Sequence, residues 1–263
     1  MAWLKGIFGS SDEASDAQRS EPSAPPLTAP PEQSDTQSGD IPNLHEREVY
    51  AARDAYWDTI GASDPDVLTY VINPMFQGAP AWPNVRQTYR LVRTENTLII
   101  ASDGLSDPYP DEEKNAEHCG FGMEVFIEIP GLQSVPQERI RQSWAFAAVE
   151  MFAQNVANFG GIIPQLTSQA ILSMELPLRR APKGWMKENG GLGALIGMPV
   201  DARSTEISGI EPTPILVVPL TLLRPSEVDE CGERGAQARE EIAQKLIANG
   251  SGHLTDVARE RVF

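Results

Sequence analysis

Six carboxylates crowd into fifteen consecutive residues: Asp103, Asp107, Asp111, Glu112, Glu113 and Glu117, with Lys114 as the lone base among them. Closely set carboxylates repel one another, and a basic partner or a hard cation relieves that repulsion. The spacing does not suit calcium, because an EF-hand loop places oxygen ligands at alternate positions and closes with Glu at the twelfth. Asp107, Tyr109, Asp111 and Glu112 suit a polypeptide better, since acidic groups beside an aromatic ring can grip an Arg, Lys or His side chain. The plainer alternative is a hydrated loop in which Gly104, Asp107 and Pro108 supply turn chemistry.

His118 and Cys119 follow directly. An enzymatic alternative is a hydrolase that uses carboxylates of the 103–117 loop with His118, which would require two carboxyls with separated pKa values. His118 and Cys119 make a poor nucleophile pair, because neighbours on an extended chain point to opposite sides. The sequence carries no G-x-S-x-G elbow, H-E-x-x-H or Walker pattern. Neither cysteine has metal-site spacing. No catalytic residue, metal or cofactor is therefore expected. Gly190–Gly197 lacks the Lys-Ser/Thr ending of a phosphate loop and reads as a flexible turn. Trp82 and Trp185 stand in Pro- and Gly-rich loops, where a Trp either plugs the core or anchors an interface. Phe121 and Gly122 allow close backbone approach ahead of a strand, and Phe121, like Trp82 and Trp185, is also a candidate partner contact beside the acidic loop.

The composition narrows the partner. Of 263 residues, 41% are hydrophobic, enough for a packed core, and 21 Lys+Arg against 37 Asp+Glu leave a net charge of −16. Binding a phosphate backbone or an anionic membrane needs clustered Lys and Arg to release counterions. Nucleic acid is accordingly excluded as the main partner, and a protein with a basic surface fits better. Two cysteines cannot build a disulfide scaffold and read as reduced thiols. No stretch reaches the ~18 apolar residues of a membrane span, and the start lacks the regions of a signal peptide. A cytoplasmic location is expected.

Residues 10–42 are rich in Pro, Ser and acidic side chains and nearly devoid of large apolar ones, so a disordered linker is expected. Before it, Trp3, Leu4, Ile7 and Phe8 make residues 1–9 a short amphipathic peptide, suited to weak membrane contact or docking on a partner. The folded domain is expected over 43–263. Val49, Ala52, Tyr56, Trp57 and Ile60 recur at helical spacing, with Gly61 as the stop. Residues 85–93 and 97–101 read as a strand pair around Glu95-Asn96. In 122–130, Met123, Val125, Ile127 and Ile129 alternate with Glu124, Phe126 and Glu128, which predicts a strand with one buried and one wet face. Pro136 opens a long helix that ends at Gly160-Gly161. Residues 169–177 read as a strand and 182–200 as irregular. Residues 214–223 are almost continuously apolar, as in a central strand covered on both faces, although Pro219 interrupts it. Residues 235–249 predict a last helix. This order gives an α+β single domain with a mixed, mostly antiparallel sheet flanked by helices.

Two stretches resemble the suppressor of fused family: Thr97-Leu-Ile-Ile-Ala-Ser-Asp-Gly-Leu-Ser-Asp-Pro-Tyr109 and Gly120-Phe-Gly-Met-Glu-Val-Phe-Ile-Glu-Ile129. Trp82-Pro83 and the 183–193 run add to it. The resemblance covers residues 66–223, or 66–263 with the last helix, and is to the short, single-lobe bacterial type. It implies a non-catalytic protein-binding domain. Two-lobed eukaryotic members trap a transcription-factor peptide between lobes, partly by strand addition, and short bacterial members are proposed as immunity proteins that neutralise toxins. The second lobe is missing here, so trapping between lobes does not carry over.

Overall fold

The computed structural model describes residues 44–201 and 203–263. The 1–9 peptide and the 10–42 linker expected from the sequence lie outside the described residues. The helical spacing around Val49 becomes α1 (Leu44–Asp58), whose last turn closes when the Gly61 amide donates to the Trp57 carbonyl at 3.1 Å. A short β1 (Ala62–Ser63) pairs with β2 (Tyr89–Arg93), and β2 forms the expected hairpin with β3 (Thr97–Ser102). Thr94 Oγ1 fastens that turn by accepting from the Thr97 amide at 2.9 Å. β3 lies antiparallel to β4 (Met123–Pro130).

The remaining strands are β5 (Leu172–Pro177), β6 (Gly191–Ile196), β7 (Glu206–Ile207) and β8 (Ile215–Leu222). The sheet runs β1-β2-β3-β4-β8-β6-β5, with β7 also on β8. Only the β4–β8 pairing is parallel among the described residues. The architecture is the expected α+β domain with a mixed, mostly antiparallel sheet.

Pro219 sits where β8 changes neighbours. β4 pairs with it up to Pro219, and β6 pairs from Leu220 onward. A proline has no amide to donate, so this handover is where it costs the ladder least. Past it, residues 253–259 fill the gap between β4 and β8: the Thr255 amide donates to the Glu128 carbonyl at 2.9 Å, and Thr255 Oγ1 accepts from the Leu222 amide at 3.1 Å.

The long helix expected after Pro136 is two helices, α2 (Gln137–Arg141) and α3 (Trp144–Phe159). Ser143 between them is extended and its Oγ accepts from the Phe146 amide at 3.2 Å. A serine offers the backbone this alternative to helical pairing, so it starts a helix rather than continuing one. Next come α4 (Ile163–Gln169), α5 (Pro225–Arg234) and α6 (Ala236–Ala248).

Both faces of the sheet are covered. α3 sends Phe146, Val149 and Phe152 onto Leu91, Ile100, Val125 and Ile127. α1 sends Val49 and Trp57 onto Val92, Ile99, Phe126 and Val217 of the opposite face. The wet face expected for 123–130 is therefore dry: Glu124 and Glu128 are buried beneath α1 and residues 203–255, each hydrogen-bonded to an arginine. Buried charges persist only when paired and hydrogen-bonded.

Glu128 illustrates the pH consequence. Burial opposes its ionisation, but His253, Thr97 and Arg203 at 2.9, 2.7 and 2.6 Å outweigh burial and bring its pKa from 4.5 down to about 2. A depressed carboxyl stabilises the fold above its unfolded pKa, and that contribution is lost as pH falls from about 4.5 towards 2. Denaturant midpoints measured across that window will fall more steeply for the natural chain than for Glu128→Gln. Equal slopes would remove Glu128 from the account.

Candidate protein-binding surface

The carboxylates of the 103–117 loop divide into two groups with opposite surroundings. Asp103 and Asp107 turn inward, where Arg53 of α1 meets them at 1% exposure. Arg53 Nη2 donates to Asp107 Oδ1 at 2.6 Å, Nη1 donates to Glu124 Oε1 at 2.9 Å and to Ser106 Oγ at 2.8 Å, and Nε lies 3.2 Å from Asp103 Oδ1. Arg86 reaches both aspartates, with Nε donating to Asp107 Oδ2 at 3.0 Å and Nη2 to Asp103 Oδ1 at 3.1 Å. Arg90 Nη2 adds a bond to Asp103 Oδ2 at 2.9 Å. Three guanidiniums thus face three buried carboxylates. The Tyr50 ring stacks below Arg86 and Arg53, 4.7 and 5.1 Å from ring centroid to guanidinium.

Burial opposes the charge on Asp103, but Arg53, Arg86 and Arg90 prevail and hold its carboxyl well below the usual carboxylate range. Burial likewise opposes the charge on Arg53, and Asp107, Asp103 and Glu124 outweigh it. Backbone donors complete the cluster: the amides of Gly104 and Ser106 donate to Glu124 Oε1 at 3.1 and 3.0 Å. The Gly-Leu-Ser-Asp corner is folded around this cluster.

Asp107 is therefore corrected from a partner contact to an internal one: it is 0% exposed and both of its oxygens are occupied by arginines. Trp82, Phe121 and Trp185 are also buried, at 4%, 6% and 1% exposure, and act as core plugs rather than interface anchors. The Trp82 ring packs edge-on to Tyr89, and Arg224 lies 4.1 Å over Trp185. Gly122 fulfils its expectation of close approach: its φ is +68°, and a Cβ there would meet Ile163 Cδ1 at 2.6 Å and His118 Cβ at 2.9 Å.

Asp111 and Glu112 stay at the surface, whereas Tyr109 is half-buried, its ring edge-on to Phe121 at 6.1 Å. Asn115 organises them, with Oδ1 accepting from the Tyr109 amide at 2.9 Å and from Gly120 at 3.3 Å. Asp111 caps the 3-10 turn Glu112–Asn115 by accepting from the Glu113 amide at 3.3 Å, and Lys114 Nζ is 3.8 Å from its carboxylate. Glu112, Glu113 and Glu117 have no cationic partner among the described residues.

The structure adds apolar side chains to which the sequence assigns no binding role. Ile72, Phe76 and Val85 are 58, 72 and 60% exposed, and Val71 is fully exposed. Asn73 binds this segment together: its side-chain amide donates to the Val85 carbonyl and its Oδ1 accepts from the Met75 amide at 2.9 Å. Pro83, two residues before Val85, lies beside Gly120, where a Cβ would meet its Cγ at 2.9 Å, and the Gly120 amide reaches Asn115. The segment that carries Val85 and the end of the acidic loop therefore meet at Pro83 and Gly120. The available signal was large apolar residues, Ile72 and Phe76, among Asn, Pro and Gly with neither helical nor strand period.

The hydrolase arrangement is not assembled. The His118 ring bonds to Thr213 Oγ1 at 2.9 Å rather than to a loop carboxylate. Cys119 is buried, 3.1 Å from His45 Nε2, and burial pushes its thiol up to about 11, so it is protonated at neutral pH. Among the described residues no helix is long and apolar enough to cross a membrane, and no group of His, Cys, Asp and Glu could hold a metal.

No protein-family model and no curated protein matches the sequence. Solved structures do match. One is a chain of a crystal structure described as the Sufu–Fu complex, with TM-score 0.51, 11% identity, and 82% of this chain and 91% of that one covered. Another is Drosophila Suppressor of Fused, with TM-score 0.52 and 11% identity, where the match covers 82% of this chain and 50% of the other. The chain accordingly has a suppressor-of-fused-like fold.

Proposed function

We propose that this chain is a non-catalytic, cytoplasmic protein-binding module that engages a basic partner through Tyr109, Asp111 and Glu112 together with Ile72, Phe76 and Val85. The observation that carries the reading is the exposure of large apolar side chains, and of carboxylates such as Glu112 without a cationic partner among the described residues, on two segments that meet at Pro83 and Gly120. A monomer rarely leaves such a patch bare without an interaction to make, and acidic groups beside it favour a partner segment that mixes Lys or Arg with apolar residues. The net charge of −16 would speed encounter with such a partner in a salt-dependent way. The fold is shared with a chain from a complex between two proteins, Sufu and Fu. A bacterial immunity or adaptor role, in which the chain sequesters and neutralises a partner protein, is the most specific form of the proposal. The 1–9 peptide would add a second, weak docking point.

The test is an affinity capture from the native host with the full chain and with a Phe76→Ser/Val85→Ser variant. A protein retained by the natural chain, lost by the variant and released at high salt is the expected result. If both forms retain the same proteins equally, the surface is wrongly placed.

A further inference from the structure

Beside the edge strand β5, helices α3, α4 and α6 border a cavity of about 340 Å3. Its walls are largely apolar, with Phe152, Val156, Phe159, Ile162, Leu172 and Met174 contributing. Phe159 is 66% exposed although its helix is otherwise packed against the sheet. The volume is near the lower end of the roughly 300–1,000 Å3 range of ligand sites, which suits a small molecule.

One wall carries a cation, Arg239 of α6. Its Nε donates to the Ile171 carbonyl at 2.8 Å and its Nη2 to Gln169 Oε1 at 2.7 Å. Both acceptors are neutral, and no carboxylate pairs with Arg239 among the described residues. Arg141 and Arg224 likewise donate to carbonyls, but Arg239 is the arginine that does so on the wall of this cavity. Arg239 is thus fixed in direction while Nη1 keeps its donors unassigned.

The backbone beside it is strained in a way that serves this arrangement. Ala170 has φ +57° and ψ −57°, the one positive φ outside glycine among the described residues. The Ile171 amide donates across it to the Gln169 carbonyl at 2.6 Å. A γ-turn of this hand is rare and unfavourable, and such strain gathers at binding sites. Here it brings the Gln169 side chain and the Ile171 carbonyl onto the same guanidinium.

We propose that this cavity binds a small carboxylate with an apolar tail. The tail lies among Phe159, Leu172 and Met174, and the carboxylate takes the unassigned Nη1 donors of Arg239. A charge-assisted bond to a guanidinium already held in place is strong, because little side-chain freedom remains to be lost. The site is separate from the proposed partner surface and does not depend on it.

Octanoate is the probe, with 1-octanol as its uncharged counterpart. In calorimetric titration of the full chain, octanoate is expected to bind, with 1-octanol about tenfold weaker or worse. Arg239→Gln is expected to lose about tenfold in octanoate affinity while leaving 1-octanol unchanged. Gln165→Trp, at an exposed rim position, should abolish binding of both while the far-ultraviolet circular dichroism and melting temperature stay those of the natural chain. Methyl NMR should place the perturbed signals at Met174 and Leu172. Absence of octanoate binding at millimolar concentration, or equal affinity in Arg239→Gln, would overturn the proposal. Tighter binding of an N-acetylated tripeptide ending in Leu than of octanoate would also overturn it, by making a polypeptide terminus the occupant.

Discussion

Replacing Arg53 with Met is expected to lower folding stability by about 3–5 kcal/mol, the usual cost of stranding buried charges. Glu124 is the most affected group, since Arg53 is the single cation paired with it among the described residues. Asp103 and Asp107 keep Arg86, and Asp103 keeps Arg90. A Glu124→Gln change made on top of Arg53→Met should therefore recover part of the loss, which a double-mutant cycle in urea will measure as a coupling energy. Asp111→Asn, at the surface, should stay within about 0.5 kcal/mol of the natural chain. If Arg53→Met also stays within that margin, the cluster does not hold the Gly-Leu-Ser-Asp corner.

A second buried pair secures the 253–263 segment. Arg259 donates to Glu227 through Nη1 at 2.7 Å and Nη2 at 2.6 Å, and its Nη2 also reaches the Leu222 carbonyl at 3.0 Å. Glu227 is at the same time the residue whose Oε2 accepts from the Arg224 amide at 2.7 Å to start α5. Arg259→Met leaves Glu227 buried, charged and unpaired by a cation, again at about 3–5 kcal/mol. Because the same arginine pins the segment beside β8, limited proteolysis should now cut within 253–263 before the rest unfolds. Cleavage there at an unchanged rate would show that Thr255 and His253 hold the segment without it.

Periodicity revealed the parts of this fold whose residues repeat. The α1 stripe from Val49, the 89–102 hairpin and the 215–222 strand all follow from apolar spacing and turn residues. β6 did not, because its sequence reads Gly-Leu-Gly-Ala-Leu-Ile and resembles a loop. Its glycines answer to packing: a Cβ on Gly193 would lie 2.0 Å from Val228 Cγ2 of α5, so the helix can rest on the strand only if that position is bare. The two faces of β4 misled for a related reason. Alternating Glu implies water on one side, and only the distant arginines of α1 and residue 203 make that side dry.

The candidate surface was half legible. Local charge density marked the 103–117 loop, yet it could not separate Asp107 from Asp111, four residues apart. That division depends on Arg53 and Arg86, which tertiary folding brings from 54 and 21 positions away. Trp82, Phe121 and Trp185 followed the plainer of their two readings, since large rings in Pro- and Gly-rich loops can be the lids of a core. Ile72 and Phe76 carried no clear period, Val85 read as the start of a strand that begins only at Tyr89, and only their exposure singles them out.

The most direct measurement compares two variants on two scales. Asp111→Asn/Glu112→Gln/Glu113→Gln and Asp107→Asn would each be assayed for melting temperature and for association rate with the captured partner at low and high salt. The triple variant is predicted to melt like the natural chain while associating more slowly and with a flatter salt dependence, whereas Asp107→Asn melts lower. A triple variant that associates as fast as the natural chain, with the same response to salt, would contradict the claim that the outward carboxylates meet a partner.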